Sequence, residues 1–300
     1  MSDATPTNPA PPTAPSADTL AKEQADFAAA QAGGTVKWSE TLWARIGIPT
    51  TVGFVVLMFW EWAVDYYQVR SFVLPAPSVI GSAMFGNIAS LMGSWWVTFS
   101  VTVQAFVLAL VGGVALAILF TQSRLIELAL FPYAVVLQVT PVVSIAPLII
   151  IWVGFDNLHL ALLIMAWLVA FFPILSNTVM GLRSVDHNLI NLFKLYGASR
   201  WQILLELQMP AALPYILAGM KISGGLALIG AVVAEFVGGA SGAAGLAWRI
   251  IESGNRLQID RMFAALVMMS FTGIAIFFFL HFLQYFLLRK WHESALRSES

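Results

Sequence analysis

Ionisable and polar side chains are scarce in this 300-residue sequence, so those set inside apolar runs are where chemistry could be done. Glu235 stands deep in the run GAVVAEFVGG, with Lys221 fourteen residues before it. On a helix that separation is ~20 Å, too far for a direct pair. A buried carboxylate is costly and must face a partner or water rather than lipid. Glu235 therefore fits either a group beside a solute pathway or a structural hydrogen-bonded partner. Glu61 lies near the outer end of the first apolar run and fits a solvated carboxylate. Gln138, Thr140 and Ser144 share the third run, and Ser176 and Asn177 belong to the fourth. Polar groups in spans line pathways or join helices. Singly each suits helix joining; with Glu235 they form the candidate pathway set.

Covalent chemistry finds little support. No nucleophile motif is present, and no catalytic residue is assigned. The four histidines, His159, His187, His281 and His292, are scattered without HExxH spacing. Cysteine is absent, which excludes disulfides and Cys-based metal sites, and no metal site is assigned. The glycine-rich GGASGAAG after Val237 lacks the Lys-Ser or Lys-Thr of a phosphate-binding loop. A tight turn and close helix packing accounts for it better. Gly112-Gly113 and Gly224-Gly225 read as close helix contacts. The chain contains no Walker A sequence, nor even a Gly-Lys pair. No cofactor is assigned to it; if ATP drives its function, another polypeptide binds the ATP and Mg.

The elements that carry these residues belong in a bilayer. Hydrophobic residues make up 59% of the chain and charged ones 10%, against about a quarter charged in soluble domains. Mean hydropathy is +0.81. The net charge of −1 gives no case for nucleic acid. Residues 1–36, rich in Pro, Ala, Thr and Ser, predict a disordered tail. They lack the basic start and apolar core of a signal peptide. Residues 37–45, with Trp38, Trp43, Lys37 and Arg45, predict an interfacial segment. A membrane domain then covers 46–290, and 291–300 form a C-terminal tail. Six apolar runs, Ile46–Val64, Thr98–Phe120, Leu125–Val153, Leu158–Met180, Ala212–Val237 and Phe263–Leu288, approach the ~20 residues a hydrocarbon core demands. Lipid leaves backbone groups no outside partner, so the expected fold is all-α with six transmembrane helices. The third run carries Pro132, Pro141 and Pro147 and should be kinked or broken.

Lys and Arg set the expected orientation. Ten (Lys22, Lys37, Arg45, Arg124, Arg183, Lys194, Arg200, Arg289, Lys290, Arg297) fall on the side of the N-terminus. Four (Arg70, Arg249, Arg256, Arg261) fall on the other, with Lys221 inside a span. The bias predicts both termini, and the polar stretch 181–211 between the fourth and fifth runs, in the cytoplasm.

Between two of the spans lies a polar island, residues 181–211, GLRSVDHNLINLFKLYGASRWQILLELQMPA. Asp186 can cap a first helix with Leu189, Ile190, Phe193 and Tyr196 on its apolar positions. Gly197 stands where that helix should end in a left-handed residue. Ser199 and Gln202 have capping-box spacing for a second helix. Pro210 and Pro214 should stop or kink the chain beyond it. Such an elbow suits docking in a groove on a partner or rest on the lipid surface; spacing alone leaves both open.

The island resembles the cytoplasmic "EAA" loop of ABC importer permeases. Gly197 fills the motif's glycine, Leu207 its isoleucine, Met209 its leucine and Pro210 its proline, while Asn191, Leu192 and Phe193 replace the Glu-Ala-Ala triad. VLPAPSVI from Val73, AFFPILSNTVMGLRSVD, GASRWQ and PAALPYILAGMKISGGLALIGAVVAEFVGG resemble permeases of the nitrate, sulfonate, taurine and bicarbonate importer group. The resemblance implies the type I, MetI-like fold with cytoplasmic coupling helices. Asn191, Leu192, Phe193, Leu195, Tyr196, Gly197, Ala198, Ser199, Arg200, Leu207 and Pro210 are then the ATPase-coupling positions. It also implies cytoplasmic ABC ATPase subunits, a periplasmic substrate-binding protein and a second, commonly identical permease copy. The solute would be nitrate-, sulfonate-, taurine- or bicarbonate-like, or a pyrimidine- or vitamin-like heterocycle. A secondary transporter would instead show internal repeats and paired midplane charges, which the sequence does not display.

Overall fold

The computed structural model describes residues 42–239 and 244–289, and every regular element among them is helical. The expected tails 1–36 and 291–300, and residues 37–41 of the interfacial segment, lie outside the described residues. The described residues fall into two units, one ending at Trp62 and the other beginning at Ala63. The first holds most of helix α1, Leu42–Tyr66, with Pro49 inside it. At 1.5 Å per residue it is ~37 Å long, enough to cross a ~30 Å hydrocarbon core.

The second unit contains α2 (Pro77–Gly86), α3 (Ile88–Gln122), α4 (Arg124–Val139) and α5 (Val142–Val153). A 3-10 turn, Phe155–Asn157, leads to α6 (Leu158–Arg183) and α7 (His187–Leu195). The continuous helix α8 (Arg200–Gly238), then α9 (Leu246–Asn255) and α10 (Ile259–Leu288), complete the unit. Among the described residues, α1, α3, α6, α8 and α10 are long and apolar enough to cross a membrane, and the bent pair α4–α5 makes a sixth crossing when taken as one broken span.

The expected break in the third run falls at Thr140–Pro141, where the helix axes bend by 105°. Proline disfavours helical geometry in the residue before it, and Thr140 is extended (φ −72°, ψ 124°). The Val136 carbonyl accepts both the Thr140 N–H at 3.1 Å and the Thr140 hydroxyl at 2.6 Å, the last bonds before the break. Pro132 and Pro147 sit inside α4 and α5 without ending them. Of the expected stop or kink at Pro210 and Pro214, the stop does not occur: the helix runs on from Arg200 to Gly238. Residues Ile203–Gln208 wind as a π-helix, and the α-helical part of α8 starts at Met209. The π turn changes the bonding pattern there. Pro210 thereby occupies the first turn of the α-helical segment, where a missing N–H costs that segment little.

The packing core is α6, which lies most extensively on α8 and next on α3. One buried cluster, including Phe120, Ile174, Leu182 and Leu217, fills the end of this core toward α7. A second, including Val101, Ile149, Leu162 and Met165, fills the opposite end. Lipid removes the usual hydrophobic drive between helices, so close contact must supply the attraction. A Cβ on Gly219 would stand 3.2 Å from the Pro173 carbonyl oxygen, and one on Gly230 2.8 Å from the Ala166 Cα. Gly113 is as tightly placed, 2.8 Å from Ile174. Gly224 packs on Leu280 and Ile276 of α10. Gly225 departs from the expected close contact: it is exposed, with open space where a side chain would be.

Candidate functional site

The island forms the elbow its sequence predicts. The Asp186 carboxylate accepts the Asn188 N–H at 2.8 Å and opens α7. Gly197 ends it at φ +77°, in the left-handed region. There the Ala198 N–H reaches the Phe193 carbonyl and the Gly197 N–H that of Lys194, both at 3.0 Å. These are the paired bonds of a Schellman termination. The capping box that opens α8 is complete: the Gln202 N–H donates to the Ser199 hydroxyl at 3.3 Å, and the Ser199 N–H to the Gln202 side-chain oxygen at 2.7 Å.

What the elbow presents is apolar. Leu195 is 85% and Tyr196 84% exposed, with Leu189, Leu192 and Trp201 exposed beside them in sequence. Phe193 and Ala198 are half-buried, while Asn191, Ser199 and Arg200 are exposed. Leu207 and Pro210, half-buried, belong to the π turn and the start of the α segment behind the elbow. The root of the island is fixed by a group that sequence reasoning missed. Glu127, in the first turn of α4, accepts from Arg124 at 2.8 Å and from Arg183, the last residue of α6, at 2.6 Å. The Arg124 pair has i,i+3 spacing and was available as a sequence signal; the Arg183 contact, 56 residues away, was not. Glu127→Gln should leave both guanidiniums without their anion. The expected loss is about 1–2 kcal/mol at this partly exposed site, read as a lower thermal unfolding midpoint of the purified chain. An unchanged midpoint would show that the pairs do not hold the root.

At the opposite end, Glu235 is fully buried in α8. One carboxylate oxygen accepts the Ala247 N–H at 2.9 Å. The Thr98 hydroxyl of α3 accepts the neighbouring Leu246 N–H at 2.8 Å. Two long helices thus satisfy the free N–H groups at the start of α9, and a carboxylate suits the positive end of a helix dipole. Any side chain on Gly245 would run into that carboxylate. One turn before Thr98, the Ser94 hydroxyl accepts from Arg249 Nε at 2.9 Å. Arg249 and Arg256 both pair with Glu252 at 2.9 Å. Gly239 lies against Trp248, with 2.7 Å between a built Cβ and the Trp248 Cβ, so the fifth run does end in close packing.

The pathway candidates do not gather at one point. Gln138, Thr140 and Ser144 surround the α4–α5 elbow, with Gln138 and Ser144 exposed. Ser176 and Asn177 are half-buried in α6, and the Asn177 amide donates to the Pro173 carbonyl at 2.8 Å. Glu235 is at the α9 end, and Lys221 forms no pair with it. Glu61 is half-buried rather than fully solvated. Among the described residues no group of three His, Cys, Asp or Glu could hold a metal ion.

The described residues thus form apolar helices of membrane-crossing length with a capped, exposed elbow at one end. The chain belongs to the binding-protein-dependent transport system inner membrane component family, whose profile matches residues 109–293. It is 35% identical over 204 residues to the riboflavin transport system permease protein of Chloroflexus aurantiacus, covering 67% of this chain and 74% of that one. It is 32% identical over 242 residues to a Bacillus subtilis permease protein named for aliphatic sulfonates transport, covering 80% and 86%. In fold it matches a chain of the MetNI methionine ABC transporter in an inward-facing form, with a TM-score of 0.52 at 18% identity, covering 67% of this chain and 95% of that one. The chain is therefore an ABC importer permease for a small solute, a multi-pass inner-membrane protein with the type I fold.

Proposed function

We propose that this permease converts the closure of cytoplasmic ABC ATPase subunits into opening of a solute pathway toward a periplasmic binding protein. The observation that carries the reading is the capped elbow with Leu195 and Tyr196 almost fully exposed. Large apolar side chains held out from rigid backbone suit a groove on a partner protein. ATP and Mg belong to that partner, and hydrolysis takes place there. Binding of ATP draws the paired islands together and turns the cavity outward; hydrolysis resets it. A second copy of this chain completes the pathway. In support, the exposed Gln138 and Ser144 at the α4–α5 elbow would be costly against lipid and suit a shared aqueous interface. The sulfonate and riboflavin relatives favour a solute among small anions or vitamin-like heterocycles, delivered by the binding protein.

Both termini and the island are cytoplasmic in this reading, as the ten-to-four Lys/Arg bias predicts. A cysteine at Ser184 reports the island side of this cysteine-free chain. On the other side Ser253 is buried, and Asn255 at the end of α9 is the exposed position to use. An impermeant thiol reagent applied to intact spheroplasts should label Asn255→Cys and spare Ser184→Cys. The reverse pattern would overturn the orientation.

A further inference from the structure

Lys221 is the one lysine or arginine among the described residues in the interior of a long apolar helix; the others stand near helix ends, on short helices or in connections. It lies twelve residues past Met209 and seventeen before Gly238, ~18 Å and ~25 Å along the axis. Its side chain is half-buried, and it forms no ion pair or hydrogen bond among the described residues. The buried carboxylates Glu127 and Glu235 are committed elsewhere, the first to two arginines and the second to the start of α9. An ammonium turned to hydrocarbon at this depth is costly, and such groups face water or a partner.

The surface beside Lys221 is open. Ser223 and Gly230 of α8 are turned to α6, and Gly224 to α10. One turn after Lys221, on the same side of the helix, Gly225 is exposed and a Cβ built there would meet nothing within 4 Å. Ile222 and Ile229, 51% and 56% exposed, continue this uncovered face. Among the described residues, a cation without a counter-ion therefore borders a strip of α8 that the other helices leave uncovered.

We propose that Lys221 lies on the aqueous side of α8 and draws solutes bearing a sulfonate, carboxylate or similar oxyanion group past Gly225. The proposal rests on the permease reading above and adds a charge preference to it. An unpaired ammonium beside a low-dielectric surface raises the local concentration of anions and lowers that of cations.

The test places Gly225→Cys in the full chain assembled with its ATPase. Reaction rates are measured with anionic 2-sulfonatoethyl methanethiosulfonate and cationic 2-(trimethylammonio)ethyl methanethiosulfonate, each normalised to its rate with free 2-mercaptoethanol. The anionic reagent should react on the order of tenfold faster. Adding Lys221→Arg should keep that preference, and adding Lys221→Gln should bring the ratio to about one. Equal rates with Lys221 present, or no reaction with either reagent, would overturn the proposal. Co-purification of the ATPase is read in the same preparation. Its loss counts against the permease reading, whereas equal rates in an intact assembly count against the charge preference alone.

Discussion

Gly197→Val should give a folded, membrane-inserted chain that no longer retains its ATPase. At φ +77° a β-branched residue is strained by on the order of 1–3 kcal/mol. Nothing lies within 4 Å of a Cβ at this position, so the cost is one of backbone conformation and not of collision. The chain relieves it by leaving the left-handed state, which breaks the Ala198–Phe193 and Gly197–Lys194 bonds and swings α7 relative to the start of α8. No residue of α7 is buried, so the rest of the fold has little to lose. Gly197→Asn, which tolerates the left-handed region better, should retain an intermediate fraction of ATPase. Co-purification from membranes measures both. Wild-type retention by the valine variant would remove the elbow as the docking geometry.

Glu235→Ala should sharply lower the yield of folded protein, while Glu235→Gln should fold and transport. Alanine leaves the Ala247 N–H without its acceptor in a buried site, a loss of about 1–3 kcal/mol before any cavity is counted. It also removes the side chain that fills the space against Gly245. Glutamine keeps the shape and one carbonyl oxygen for the Ala247 N–H. Thermal unfolding in detergent and solute-stimulated ATPase activity after reconstitution separate the two variants. A glutamine variant that folds and assembles but no longer couples hydrolysis to transport would show that the charge itself is needed, and the clamp account of Glu235 would fail.

Local chemistry was legible in the sequence wherever it was punctuated. Asp186, Gly197, Ser199 and Gln202 each carry a side chain or backbone freedom with one dominant local use, and the island's shape comes from them. The apolar runs likewise mark the long helices, because bilayer thickness fixes their length. The site of the break in the third run was not legible, since three prolines competed. Only Pro141 combined with an extended Thr140 to end a helix. The partner of Glu235 and the distant partner of Glu127 were hidden because they are tertiary: Ala247 and Arg183 come from other elements. Gly224 and Gly225 show the same limit. Adjacent glycines look alike in a sequence, yet a rotation of about 100° sends one into α10 and the other into open space.

The π turn at Ile203–Gln208 sets a phase. Trp201 precedes Ala212 by eleven residues, which in an unbroken α-helix is close to three full turns. Trp201 would then continue the stripe of Ala212, Gly219 and Ser223, all of it buried. A turn of this kind takes up about one residue more than an α turn and shifts everything before it by roughly 100° around the axis. Trp201 accordingly leaves the stripe and stands 63% exposed. The helix is one rod with two clocks: the membrane half keeps time with α6, and the π turn resets the island half so that Trp201 faces outward.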